Sequence, residues 1–155
     1  MSELLDCLII GGGPAGLTAA IYVARFRLSV RVIDAGHSRA ALIPCTRNQA
    51  GFPDGVSGRE LIGLMQRQAL KFGARVEPGE VRAMSSRSDA LLAETSAGPV
   101  AARTVLLATG VTNRGPDMLA EVRAAALAAG RLRYCPVCDG FEVIDQDVAV
   151  VGTSE

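Results

Sequence analysis

Two groups of residues in this chain have types and spacing suited to chemistry. The first is Cys135-Pro136-Val137-Cys138-Asp139. Cysteines three positions apart share one turn and are near enough to close a small disulfide ring. Thiols so placed ionise easily and exchange readily. Pro136 restricts the turn, and Asp139 follows at once, where a carboxylate can move a proton to or from a thiol. The same spacing serves structural zinc, which takes four ligands. The other candidate ligands, Cys7, Cys45 and His37, sit on a core strand or in a long loop without paired spacing, so no metal is expected. A buried, inert pair is the plainer alternative.

The second group is Gly11-x-Gly13-x-x-Gly16, with Asp34 about twenty residues further on. In a dinucleotide-binding turn the first glycine permits the tight bend out of a strand. The second lets a pyrophosphate approach the backbone, and the third lets helix and strand pack closely. Pro14 suits the first helical turn, where its missing N–H is no loss. With Ala15 it opens a helix whose free N–H groups and positive dipole end face the phosphates. Asp34 can accept hydrogen bonds from ribose hydroxyls, and its charge disfavours a 2′-phosphate. A lone Gly-rich turn would say little. Here strand, helix, second strand and acid fall in register.

These residues need elements to position them. An apolar run over 6–10 leads into the glycines, an Ala-rich amphipathic stretch covers 14–26, and a second strand covers 30–33. Residues 35–55 lose periodicity and form a long loop, a length often associated with function. Ser57 and Glu60 read as a capping box opening a helix to about Phe72, which Gly73 ends. Four short β segments, at 74–77, 80–85, 90–95 and 99–102, read as a small antiparallel excursion before a last parallel strand at 104–107. That strand runs into Ala108-Thr109-Gly110, small residues that admit a backbone or cofactor. After a Gly-Pro linker, a helix over 117–129 is expected, capped by Asp117 and ended by Gly130. Residues 147–152 repeat the pattern of a strand entering a glycine turn.

Length and composition bound the rest. The chain has 155 residues, is 49% apolar and 21% charged, and carries no net charge. It can bury a core, and it has neither an 18-residue apolar run nor a basic patch, which argues against a membrane span and against nucleic acid. A short N-terminus without a basic-then-apolar leader points to the cytoplasm, where four cysteines do not suggest a structural disulfide framework. Lys71 is the only lysine, so arginine supplies nearly all the positive charge, a bias read as genomic composition.

Five stretches resemble the flavin-dependent thioredoxin reductase family in its short bacterial form. They are Leu8-Ile9-Ile10-Gly11-Gly12-Gly13-Pro14-Ala15-Gly16-Leu17, Asn48-Gln49-Ala50-Gly51-Phe52-Pro53, Val105-Leu106-Leu107-Ala108-Thr109-Gly110, Cys135-Pro136-Val137-Cys138-Asp139-Gly140 and Val148-Ala149-Val150-Val151-Gly152. The resemblance runs over the whole chain. It implies an α/β Rossmann-like FAD-binding fold over 1–113, a parallel sheet with a small antiparallel insertion. It further implies that 114–155 hold a linker, the redox pair and the start of a second, NADPH-binding fold.

By the same resemblance, Cys138 would face the flavin, Cys135 would attack a partner's disulfide, and Asp139 would serve as acid or base. Gly11, Gly13, Pro14, Ala15, Gly16 and Asp34 would hold the ADP half of FAD. Asn48 would contact the flavin side, with Thr109 and Gly110 beside the cofactor. Electrons would pass from NADPH through FAD to the cysteines and on to a thioredoxin-like protein or a small-molecule disulfide, in a homodimer. Ser154 departs from the family's second glycine fingerprint. The segment that returns to complete the FAD domain is not matched, so the chain reads as the N-terminal part of a longer reductase, poorly active by itself. Two rival readings are an FAD-dependent oxidase closing small-molecule dithiols with oxygen, and an inactive flavin-binding fragment.

Overall fold

The computed structural model describes residues 3–87 and 89–152. At its centre β1 (Leu4–Ile10) lies between β2 (Val30–Asp34) and β6 (Gly98–Leu107), parallel to both. β3 (Arg75–Pro78) continues the parallel part beyond β2. β4 (Val81–Arg87) and β5 (Ala90–Thr95) continue it beyond β6 as antiparallel strands, giving the order β3-β2-β1-β6-β5-β4. The expected α/β fold, a parallel sheet with an antiparallel insertion, is therefore present.

Neighbouring residues on a strand face opposite sides of the sheet. Ile9 and Val32 pack with Ala20, Ile21 and Ala24 of α1 (Pro14–Arg25) and Ala69 of α2 (Gly58–Lys71). Leu8 and Ile33 pack on the other face with Ala93 of β5 and Val100 and Ala102 of β6. Two covered faces explain why β1 is an almost unbroken apolar run rather than an alternating one. α2 starts as its sequence dictates, with the Glu60 N–H donating to the Ser57 hydroxyl at 3.2 Å. Gly73, at φ +93°, ends it.

Four expectations are corrected. The segment at 74–77 belongs to the parallel sheet, as β3 beside β2, and not to the antiparallel excursion. The segments at 99–102 and 104–107 are one strand, β6, which pairs with β5 through its first half and with β1 through its second. Arg103 and Thr104 look like a polar break in the sequence. In the fold Arg103 reaches Asp6 at 3.5 Å, and the Thr104 hydroxyl donates to the Asp6 carbonyl at 2.7 Å. The helix expected at 117–129 is α3 (Ala120–Ala128), entered at Leu119 without a side-chain cap, because the chain is still bent at Asp117. Residues 147–151, expected as a strand, are irregular and exposed, since among the described residues no strand edge pairs with them. Ser154 lies outside the described residues.

Candidate active site

The glycine turn sits where the C-terminal ends of β1, β2 and β6 meet, the place where parallel sheets bind ligands. Gly11 adopts φ +108°, and a Cβ there would collide with the carbonyl oxygen of Ala108, just past β6. Its N–H donates to the Ile33 carbonyl at 2.9 Å and ties the turn to β2. A Cβ on Gly16 would run into the Gly11 carbonyl and stand 3.2 Å from Ile9 Cγ2, so this glycine sets the helix–strand approach. Gly13 is different. A Cβ there would meet only the Ser38 hydroxyl, at 3.2 Å. Gly13, Pro14 and Ala15 line a cavity of about 500 Å³, together with Asp34, Thr109 and Gly110.

Asp34 is held by the turn it serves. Its Oδ1 accepts the Gly12 N–H at 2.8 Å, and a Cβ on Gly12 would lie 2.7 Å from its Cγ. The middle glycine is thus demanded by Asp34, although the fingerprint reads it as any residue. The unbroken run of three glycines was the available signal.

The cysteine motif opens into the same cavity. Cys135 and Cys138 are joined as a disulfide, with Cα atoms 5.2 Å apart, on the single turn α4 (Pro136–Asp139). Both cysteines and Asp139 line the cavity, while Val137 at the crown of the turn is 94% exposed. The Cys138 N–H donates to the Cys135 sulfur at 3.2 Å and to the Cys135 carbonyl at 3.1 Å. Asp139 is largely covered and lies 3.8 Å from Arg133, whose Nε donates to the Gly130 carbonyl at 3.2 Å.

Asn48 is outside the cavity lining. Its amide donates to the Cys138 carbonyl at 3.4 Å, and its Oδ1 accepts the Thr46 hydroxyl at 2.6 Å. Arg39 lines the cavity and donates to the Tyr134 carbonyl at 3.2 Å. Arg39 and Arg133 were hidden in the arginine bias of the composition, with no motif to single them out. His37 lines the cavity, whereas Cys7 and Cys45 are partly buried elsewhere. Among the described residues no three His, Cys, Asp or Glu side chains converge as a metal site would require.

Residues 5–154 match the family described as pyridine nucleotide-disulphide oxidoreductase. The chain belongs to that family. It is 39% identical to a thioredoxin reductase of Streptomyces clavuligerus, over 98% of this chain and 48% of the relative. A thioredoxin reductase of Aquifex aeolicus is 36% identical, over 99% of this chain and 47% of the relative. The chain thus spans about half the length of the curated relatives it matches. Among solved structures, the thioredoxin reductase of Streptococcus pyogenes superposes with a TM-score of 0.81 at 34% identity, over 90% of this chain and 45% of that one. The thioredoxin reductase from Giardia duodenalis gives 0.79 at 28% identity, over the same shares of the two chains, 90% and 45%. No helix among the described residues is long and apolar enough to cross a membrane.

Proposed function

We propose that this chain is the flavin-binding, dithiol-bearing part of an FAD-dependent, NAD(P)H-linked disulfide reductase resembling thioredoxin reductase. The observation that carries the reading is that one cavity receives both the glycine turn and the Cys135–Cys138 disulfide. In this reading residues 1–113 form the flavin fold, and 114–155 carry the redox pair and begin a second nucleotide fold. The enzyme works in the cytoplasm, as a homodimer.

The residues present fit FAD. Gly13 leaves open the space a Cβ would occupy, the first turn of α1 offers free N–H groups, and Asp34 turns a carboxylate to the same cavity. Gly11, Gly13, Pro14, Ala15 and Gly16 would hold the pyrophosphate, Asp34 the ribose, Thr109 and Gly110 the cofactor's side, with Asn48 toward the flavin. Bound there, FAD supplies a two-electron carrier beside the disulfide. Residues 147–152 are irregular and exposed.

Two electrons and two protons open the Cys135–Cys138 bond to a dithiol. Asp139, on the same turn, carries one of those protons. The Cys135 thiolate then attacks a disulfide of the partner, a thioredoxin-like protein or a small-molecule disulfide. A mixed disulfide forms, the partner's bond breaks, and its leaving sulfur takes a proton. Cys138 attacks the Cys135 sulfur, the ring closes again, and the partner's second sulfur leaves as a thiol. Both cysteines are partly buried and line the cavity, within reach of a cofactor held there.

Counting free thiols tests the reading. Reduction of the flavin-loaded protein is expected to expose two more thiols than the oxidised form has, and Cys135→Ser or Cys138→Ser to remove that difference. Equal counts in both redox states sink it. Gly13→Val is expected to abolish the flavin absorbance of the purified protein.

A further inference from the structure

Two side chains from one loop reach the backbone on either side of the disulfide. Arg39 donates to the carbonyl of Tyr134, the residue before Cys135, and Asn48 donates to the carbonyl of Cys138 itself. We infer that Arg39 and Asn48 form a two-point clasp that holds the Cys135–Cys138 turn against the cavity. The inference rests on the reading of this pair as redox-active, and it assigns both residues a positioning role.

The loop is built to bear the clasp. Arg39 opens a short 3-10 turn, Arg39–Leu42, that is seated on the start of α2. The Gly58 N–H donates to the Ile43 carbonyl at 2.9 Å, and a Cβ on Gly58 would collide with the Ala40 carbonyl. Thr46 and Val56 exchange two backbone hydrogen bonds at 2.8 and 2.9 Å, which brings the far end of the loop back to the same helix. Asn48 is further oriented by the Thr46 hydroxyl. Both donors therefore project from a fixed base.

Beyond the clasp, the described side-chain tie of the turn is the Asp139–Arg133 pair at 3.8 Å. The turn itself is a single helical one, with Val137 94% exposed at its crown and Phe141, just beyond, 81% exposed. With those two carbonyls released, the turn loses the side-chain contacts that reach it from the loop. The clasp makes the cavity-facing pose the resting one. A net hydrogen bond of ordinary strength shifts such an equilibrium by about 2- to 10-fold.

The test measures how fast dithiothreitol opens the disulfide in the oxidised 155-residue chain. Aliquots are quenched with iodoacetamide, and alkylated Cys135 and Cys138 are counted by mass spectrometry. Dithiothreitol supplies both electrons and is itself oxidised to its cyclic disulfide. Arg39→Met and Asn48→Ala are each expected to speed opening by about 2- to 10-fold. The double variant is expected near the product of the two, with the urea midpoint of the chain unchanged. Arg39→Lys, which keeps a donor, is expected to return the rate to within about 2-fold of the starting chain.

Wild-type rates in both single variants and the double overturn the clasp. So does an acceleration that Arg39→Lys fails to reverse, or one that follows a lowered urea midpoint. If one variant does not fold, the other carries the measurement. The result stands apart from the proposed function, which fails on the thiol count of the flavin-loaded protein and not on the rate at which an outside reductant gains access.

Discussion

At the scale of single residues, the three fingerprint glycines answer to different neighbours, and substitution should separate them. Gly16→Ala drives a methyl into the Gly11 carbonyl. We expect a loss of about 1–3 kcal/mol, the usual range for overpacking, seen as a lower urea midpoint. Gly13→Ala meets only a hydroxyl at 3.2 Å. The fold should tolerate it, with a midpoint within about 0.5 kcal/mol of the starting chain, because the penalty falls on the ligand that must share the space. Equal destabilisation by the two would mean that Gly13 serves folding as much as binding. The cysteines, the glycines and Asp34 were legible because each belongs to a spacing that chemistry demands. Gly12, Arg39 and Arg133 were not. Their roles come from contacts with Asp34, Tyr134 and Asp139, and two of those contacts join residues that are remote in sequence.

At the scale of elements, both helix boundaries near the sheet can be tuned. Ser57→Ala removes the acceptor of the Glu60 N–H and should destabilise α2 by about 1 kcal/mol in chemical denaturation. α1 ends at Arg25 with Phe26 as its C-cap, and Arg27 takes φ +63°, a conformation that favours glycine. Arg27→Gly should therefore raise stability by about 0.5–1 kcal/mol; a fall would mean that the arginine side chain outweighs its backbone strain. Elements with a local signature were readable in advance, such as the capping box of α2 and the apolar run of β1. Elements defined by pairing were not. Nothing local tells β3 that it will lie parallel to β2, or joins residues 98–107 into one strand across Arg103 and Thr104. Residues 147–151 show the converse, for a strand-like composition without a partner strand stays irregular.

For the whole molecule, acid should loosen the seam between β1 and β2. The Ser29 hydroxyl and N–H both donate to the Asp6 carboxylate, at 2.7 and 2.8 Å, and Arg103 adds its charge. The Ser29 hydrogen bonds hold the Asp6 carboxyl below its ordinary value of 3.8. Folding thus favours the ionised form, a contribution fully present above pH 3.8 and lost as the pH falls through the lower folded value. The urea midpoint should drop below that pH, and Asp6→Asn should flatten the drop. Apolar exposure has its own consequence. Leu107 is 69% exposed, Phe141 81% and Val150 88%, so the 155-residue chain should self-associate as its concentration rises in sedimentation. A concentration-independent monomer would contradict this. The placing of β6 also bears on how the molecule is made. β1 leaves the ribosome well before β6, and that strand, which pairs with its second edge, ends only at Leu107. At ordinary rates of synthesis that edge waits roughly 5–20 s for its neighbour. For that interval the nascent chain carries an open, apolar template, and a chaperone that shields it until β6 emerges would guard the assembly of the sheet.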